Sequence, residues 1–305
     1  MTSNKTIITI LLFFLYFSHQ ESRAQGCSDA GVCSATQHVN NNSDKPNLHV
    51  FSYTQSFGLG DKNAAIIGGN FNYRLQANKF IAFGLSLPYS IVIGNLGSTF
   101  GLGDIILNTD IVVFSKEKDQ LSLFLAGKIA TGNANKKLDG RALPMVYQQS
   151  SGTNDFITSL NWSHSEWFFA LGYQHPFNTN ENEFIANDFP ENSSAATYHS
   201  SAFLKRGDDM MLRIQRTFAL KKSKIKAGIL PIYRLQEDEI KINDSYQKVE
   251  GSKGLTLNLY AGWIHEFNDN VVGELQLAAP PITREVRVDG TTRTFLINYI
   301  FRISL

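Results

Sequence analysis

Residues 255–263 read Leu-Thr-Leu-Asn-Leu-Tyr-Ala-Gly-Trp, so that Leu255, Leu257, Leu259, Ala261 and Trp263 share one side of an extended chain while Thr256, Asn258, Tyr260 and Gly262 share the other. Side chains alternate across a strand with period two, so this stretch specifies a strand with one apolar and one polar face. Residues 67–76 repeat the pattern: Ile67, Gly69, Phe71, Tyr73 and Leu75 oppose Gly68, Asn70, Asn72, Arg74 and Gln76. Working outward, segments of this kind fall at about 47–57, 64–76, 79–93, 103–115, 120–131, 154–163, 166–177, 207–219, 223–235, 254–266, 270–280 and 292–305. Helical periodicity is absent from this body of the chain.

The connections decide the architecture. Short turns at Ala77-Asn78, 116–119, His164-Ser165, 220–222 and Asn268-Asp269 alternate with longer stretches, notably 132–153, 178–206 and 236–253. A soluble sandwich has no reason to place long loops on alternate connections, whereas a transmembrane barrel has short periplasmic turns and long external loops. Hydrocarbon cannot satisfy backbone polar groups, so a β-structure survives there only as a closed ladder. The expected fold is all-β: a transmembrane antiparallel up-and-down β-barrel of about twelve strands over residues 47–305. Its apolar series would face lipid and its polar series the lumen.

Composition agrees with this reading. The 305 residues are 43% hydrophobic and 12% aromatic but only 18% charged, against roughly 25% charged in a usual soluble domain. A net charge of +1 argues against nucleic acid as a partner, because phosphate binding needs a basic face. At the N-terminus, Lys5 precedes an apolar run from Ile7 to Phe17, followed by Ser22 and Ala24. This pattern fits a signal peptide over 1–24, cleaved after Ala24; the run falls short of the roughly 20 residues of a transmembrane helix. Residues 25–46 would form a periplasmic N-terminal segment. It carries both cysteines, Cys27 and Cys33, and in an oxidising compartment a local disulfide is expected. A lipidated Cys27 is disfavoured because no aliphatic residue precedes it in the usual place, and a metal pair because no nearby histidine completes it.

With the apolar series outward, the lumen receives Asn70, Asn72, Asn108, Gln215, Gln276 and Arg302 together with charges of both signs. Arg74, Asp104, Asp110, Lys128, Arg213 and Glu274 are the candidate selectivity residues, since opposed charges across a lumen tune what a pore admits. Trp162, Trp167 and Trp263 lie near turns and suit an interfacial girdle. At the C-terminus Phe295, Ile297, Tyr299, Phe301, Ile303 and Leu305 alternate with smaller or polar residues to the last position. This resembles the terminal signal read by the barrel-assembly machinery of the bacterial outer membrane, with Leu in place of the commoner Phe.

Four stretches carry a family resemblance: Gly101-Leu102-Gly103-Asp104 running on to Leu107, residues 125–133 (LAGKIATGN), Gly152-Thr153-Asn154-Asp155-Phe156, and Ala170-Leu171-Gly172-Tyr173. Over about residues 80–180 the chain is similar to the meta-pathway of phenol degradation family of bacterial outer-membrane transporters. It departs from that family at Ala130, where a proline is expected before Thr131-Gly132. The resemblance implies passive uptake of small molecules, aromatic or hydrophobic in many cases.

The remaining motifs read as bland. His199-Ser200-Ser201 has the His-x-Ser spacing of outer-membrane phospholipases, but Ala202 and Phe203 stand where an orienting Asn or Gly would be wanted. The loop carboxylates Glu181, Glu183, Asp188, Glu191, Glu237, Asp238, Glu239 and Asp244 lack calcium-loop spacing and are expected to be solvated. No catalytic group, metal or cofactor is assigned. The sequence thus points to an outer-membrane channel whose partners are membrane lipid and a small solute. The alternatives are a structural or adhesive barrel with a plugged lumen and, behind it, a lipid hydrolase.

Overall fold

The computed structural model describes residues 24–25 and 48–305. Twelve long strands run through it: β1 Leu48–Leu59, β2 Ala65–Gln76, β3 Ile81–Gly94, β4 Ile105–Lys116, β5 Asp119–Ile129, β6 Asp155–His164, β7 Trp167–Pro176, β8 Asp209–Leu220, β9 Ser223–Arg234, β10 Gly254–Glu266, β11 Val271–Ile282 and β12 Leu296–Ser304. Each pairs antiparallel with its sequence neighbours, and β12 returns to β1 from Leu296 opposite Gly58 to Ser304 opposite Val50. The ladder is therefore closed. Strands of 9 to 14 residues match the roughly 9–11 tilted residues that cross a bilayer's hydrocarbon core.

Alternation places the two side-chain sets as the sequence demands. Phe51, Phe57, Phe71, Phe83, Leu107 and Leu160 are exposed on the outer face, whereas Ser52, Thr54, Asn72, Ser86, Ser122 and Ser159 are buried inside. One rim carries the tight turns and the other the long connections; these are the turn end and the loop end. Aromatic side chains ring the turn end. Trp162 and Trp167 stack on Phe169, Trp263 lies beside His265, and Trp162 Nε1 and His164 Nδ1 share Asp119 Oδ1 at 3.1 and 2.8 Å.

One strand departs from the sequence expectation. Gly97–Leu102 folds back as a hairpin on the upper part of β3, pairing Tyr89 with Leu102 through Gly94 with Gly97. As a result β3 pairs with β4 only from Ile81 to Ser86. Pro88 stands where the partner changes, and having no N–H to donate it suits a break in the ladder; its carbonyl accepts the amide of Gly103 at 2.8 Å.

The loops fold over their rim instead of projecting freely. Tyr147, Phe184, Tyr198 and Leu143 form an apolar cluster with Ile66 and Val92 of the barrel, and Met145, Leu204, Ile240 and Val288 form a second. Tyr147 and Leu204 are fully buried. At the same end the residue pair Ala24–Gln25 runs antiparallel to Thr292–Arg293. The rest of the expected signal peptide, the Cys27–Cys33 disulfide and the course of 26–46 lie outside the described residues.

Candidate functional site

The lumen is packed on one side and open on the other. Across β4, β5, β6, β8 and β9 the inward residues Ile106, Phe124, Ala126, Ile157, Met211, Leu230 and Ile232 pack into one buried cluster. These side chains form one packed apolar layer in that half of the interior, beside Asp110, Lys128, Asn161, Arg213, Gln215 and Lys226 of the same strands, which are also buried inward. The opposite arc, from β11 through β12 and β1 to β3, carries Gln276, Asn298, Thr54, Ser56, Asn70 and Ser90 inward, and a cavity of ≈ 160 Å³ runs along it. Loop residues Met145, Gln148 to Ser151 and Asp289 to Thr291 close over the cavity at the loop end.

All six charged residues singled out from sequence are buried on the lumen side. They do not form one ring. Asp104 and Lys128 sit at the loop end: Asp104 accepts from Ser150 Oγ at 2.5 Å and from the amide of Gly132 at 3.2 Å, and Lys128 Nζ lies 3.8 Å from it and 3.0 Å from Asp155. Arg74 and Asp110 face each other at 3.6 Å. Because Ile106 pairs with Lys128 and Asp110 with Phe124, this second pair lies about 13 Å farther along the strand. Glu274 pairs with Lys226 at 3.3 Å, and the Arg213 guanidinium packs over the Tyr260 ring while donating to Tyr260 Oη at 2.8 Å and Gln215 Oε1 at 3.0 Å. Gly228 has the space for that tyrosine: an added Cβ would lie 2.6 Å from Tyr260 Oη.

Above these tiers lies a string of buried ion pairs that sequence reading missed. From Lys128 it continues through Asp155, Arg206, Asp209, Arg234 and Asp289 to Arg284. Arg234, fully buried, holds Asp209 at 2.7 Å and Asp289 at 3.0 Å and contacts Asp238, which Arg284 approaches at 3.7 Å. The string ties three loops to the barrel rim. Burial opposes the charge on Asp289, but Arg284, Arg234 and Arg206 overcome it and hold the carboxyl far below the usual carboxylate range. Burial likewise opposes the charge on Arg206, and Asp155, Asp289 and Asp209 raise it nonetheless.

Asp238 corrects the expectation that the loop carboxylates are all solvated: it has no exposed surface. Glu183 fits that expectation, half-exposed beside Lys137. The His199-Ser200-Ser201 stretch is occupied with loop packing. Ser200 Oγ accepts the amide of Ala186 at 2.9 Å, and Ser201 Oγ, fully buried, donates to Asn182 Oδ1 at 2.7 Å.

A closed twelve-stranded antiparallel barrel with a lipid-facing apolar surface and a polar, charge-paired lumen defines a transmembrane β-barrel protein. The solved structures it resembles are of that kind. The COG4313 outer membrane channel from Pseudomonas putida F1 superposes with a TM-score of 0.61 at 13% identity, covering 88% of this chain and 98% of that one. The NanC porin and the KdgM porin are more distant, with TM-scores of 0.48 and 0.43, identities of 6% and 9%, 84% of this chain covered in each case, and 98% and 99% of theirs. No protein-family model matches the chain, and no curated protein matches it by sequence.

Proposed function

We propose that the protein is a passive channel of the bacterial outer membrane for small molecules, narrowed to one side of its lumen. The cavity along β11, β12 and β1 to β3 carries this reading, because it leaves open, partly polar space beside a packed apolar cluster. The selectivity residues would be Asp104, Lys128, Arg74, Asp110, Arg213 and Glu274, all on the lumen side. In this orientation the loop end faces outward with Gln25 beside Thr292, so the segment after the signal peptide would begin on the outer side and only the start of β1 at Leu48 would face the periplasm; the C-terminal strand is the segment handed to the barrel-assembly machinery. Kinship with the meta-pathway of phenol degradation family belongs to the same proposal and is supported by the glycine-rich motifs alone. Aromatic or hydrophobic cargo, which that kinship implies, finds support in only part of the wall, where Ile66, Ile106, Met145 and Leu296 line the cavity beside its amides and hydroxyls.

The test is solute-dependent swelling of liposomes carrying the refolded protein, with single-channel recording in planar bilayers. Swelling in neutral solutes of monosaccharide size, with conductance steps smaller than those of a wide porin, is the expected result. A specific feature favours a second reading, a plugged structural barrel: the loops pack their own apolar cores over the lumen. Silence in both assays would establish it. A lipid hydrolase has no support from the loop geometry, and the activity test for it is lipase assay of His199→Ala.

A further inference from the structure

The lumen cavity has a recognisable chemistry of its own. Its charged neighbours are already engaged: Asp104 with Ser150 and Lys128, Asp289 with Arg234 and Arg284, and Arg293 with the Gly290 carbonyl at 3.0 Å. What remains is neutral. Asn70, Asn298 and Gln149 approach the cavity from three different parts of the fold, β2, β12 and the loop before β6. Each uses its amide nitrogen within the protein, on Asn72 Oδ1 at 3.1 Å, Gln276 Oε1 at 3.4 Å and Thr99 Oγ1 at 2.8 Å. Each leaves its amide oxygen without a hydrogen-bond donor among the described residues. Asn298 is nine-tenths buried. These oxygens are shielded where they stand, so a guest engages them by turning the amides toward the cavity; a buried polar atom without a partner is costly, and a hydrogen-bonding guest that drew the three amides inward would relieve that cost.

From this geometry we infer that the cavity is a binding site for a small, uncharged, hydroxyl-rich solute of the sugar or polyol class. This inference rests on the channel reading and names its substrate class. A hydroxyl both donates and accepts, so it can complete a side-chain amide whichever polar end faces the cavity. A carboxylate only accepts and would bring a charge into a wall whose cations are already paired, which is unfavourable. A hydrocarbon or plain aromatic ring would cover the amides without satisfying them. Size agrees: ≈ 160 Å³ is below the roughly 300–1,000 Å³ of sites for drug-sized ligands. Gly68, on the wall between Ile66 and Asn70, keeps this width open; a Cβ added there meets nothing nearer than 3.6 Å.

The experiment is saturation-transfer NMR on the refolded full-length protein in micelles, with D-glucose and sorbitol as probes and gluconate and benzoate as comparators. Glucose and sorbitol are expected to bind, and gluconate, the same skeleton with one negative charge, to bind at least roughly tenfold more weakly. Asn298→Leu should weaken glucose roughly fivefold to tenfold, the share of one hydrogen bond. Gly68→Leu fills the cavity without disturbing the backbone and should abolish the signal. Equal or stronger binding of gluconate or benzoate, no binding of either neutral probe, or glucose binding unchanged in Gly68→Leu would each overturn the assignment. Sugar binding without liposome swelling would refute the channel and leave the site standing, whereas swelling with the ligand order inverted would refute the site and leave the channel standing.

Discussion

Replacing Arg234 by methionine cuts the buried string at its centre. Arg234 is the only cation in contact with Asp209, Asp238 and Asp289 together among the described residues, and it joins β9 to β8, to the loop after β9 and to the loop before β12. Removing one partner of a buried ion pair costs about 3–5 kcal/mol, because the remaining charge is stranded away from water. None of the three carboxylates is left wholly alone here: Asp209 keeps Arg206 at 3.5 Å, Asp238 keeps Arg284 at 3.7 Å and Asp289 keeps Arg284 at 3.0 Å. The loss should therefore fall at the lower end, about 3 kcal/mol. Asp209 suffers most, since its 2.7 Å partner is gone. Adding Asp209→Asn to Arg234→Met should then recover part of the loss instead of deepening it. Equilibrium urea unfolding in lipid vesicles, followed by tryptophan fluorescence, reads the global change; limited proteolysis of 235–253 and 283–295 reads loop release. A loss below about 1 kcal/mol, with both loops still protected, would refute the reasoning. It would show that Met145, Leu204, Ile240 and Val288 hold the loops without help from the ions.

Phe124→Ala removes the largest side chain of the apolar lumen cluster, 1% exposed, and should destabilise by about 3–5 kcal/mol; single-channel recording should show larger steps than wild type. Loop protection should fall with acid: the folded Asp289 carboxyl lies below its unfolded value of about 3.9, so its contribution is complete above that pH and fades as pH drops below it. Proteolysis of 283–295 between pH 3 and 7 checks this, and unchanged protection at low pH would contradict it. Gly69→Ala places a methyl where the Tyr89 ring covers the strand and should cost about 1–3 kcal/mol by displacing that ring, measured by urea unfolding.

Period-two alternation made the barrel legible because one face of every strand must suit lipid. Each of the twelve segments has its strand, and the six charged candidates lie inside, since register alone decides which face a residue takes. The hairpin strand Gly97–Leu102 escaped notice because its partner is the upper half of β3, a strand already assigned to β2 and β4. The ion-pair string escaped for another reason. Asp155, Arg206, Arg234, Asp238 and Asp289 are separated by up to 134 positions and meet only when three loops fold onto one rim. Residues 236–239 read Gln-Glu-Asp-Glu, a solvated-looking run in which nothing marks Asp238 as buried. The apolar arc did leave a trace: Ile229, Leu230 and Ile232 put apolar groups on both faces of β9, where a water-lined wall would have alternated.

That trace points to how this barrel divides its interior. Around eight strands close an interior that side chains can fill, and 16 to 18 leave an aqueous channel. Twelve strands fall between these cases, so part of the lumen must be packed by something or stay wet. Here β4, β5, β6, β8 and β9 pack one apolar cluster among their inward polar groups, and a cavity with mixed polar and apolar walls stays open on the side of β11, β12 and β1 to β3. The apolar residues consequently do two things at once: they stabilise the barrel by packing and set the width of the remaining passage by their volume. Trimming Phe124, Ile157, Met211 or Leu230 should therefore lower stability and raise permeability together. Widening the passage from the polar side need not carry that penalty, because Asn70, Ser56 and Thr54 border space rather than a packed core. Stability and passage should be coupled on one arc and separable on the other. A plugged structural barrel predicts neither behaviour, since trimming its packed arc would weaken the wall without opening a continuous path.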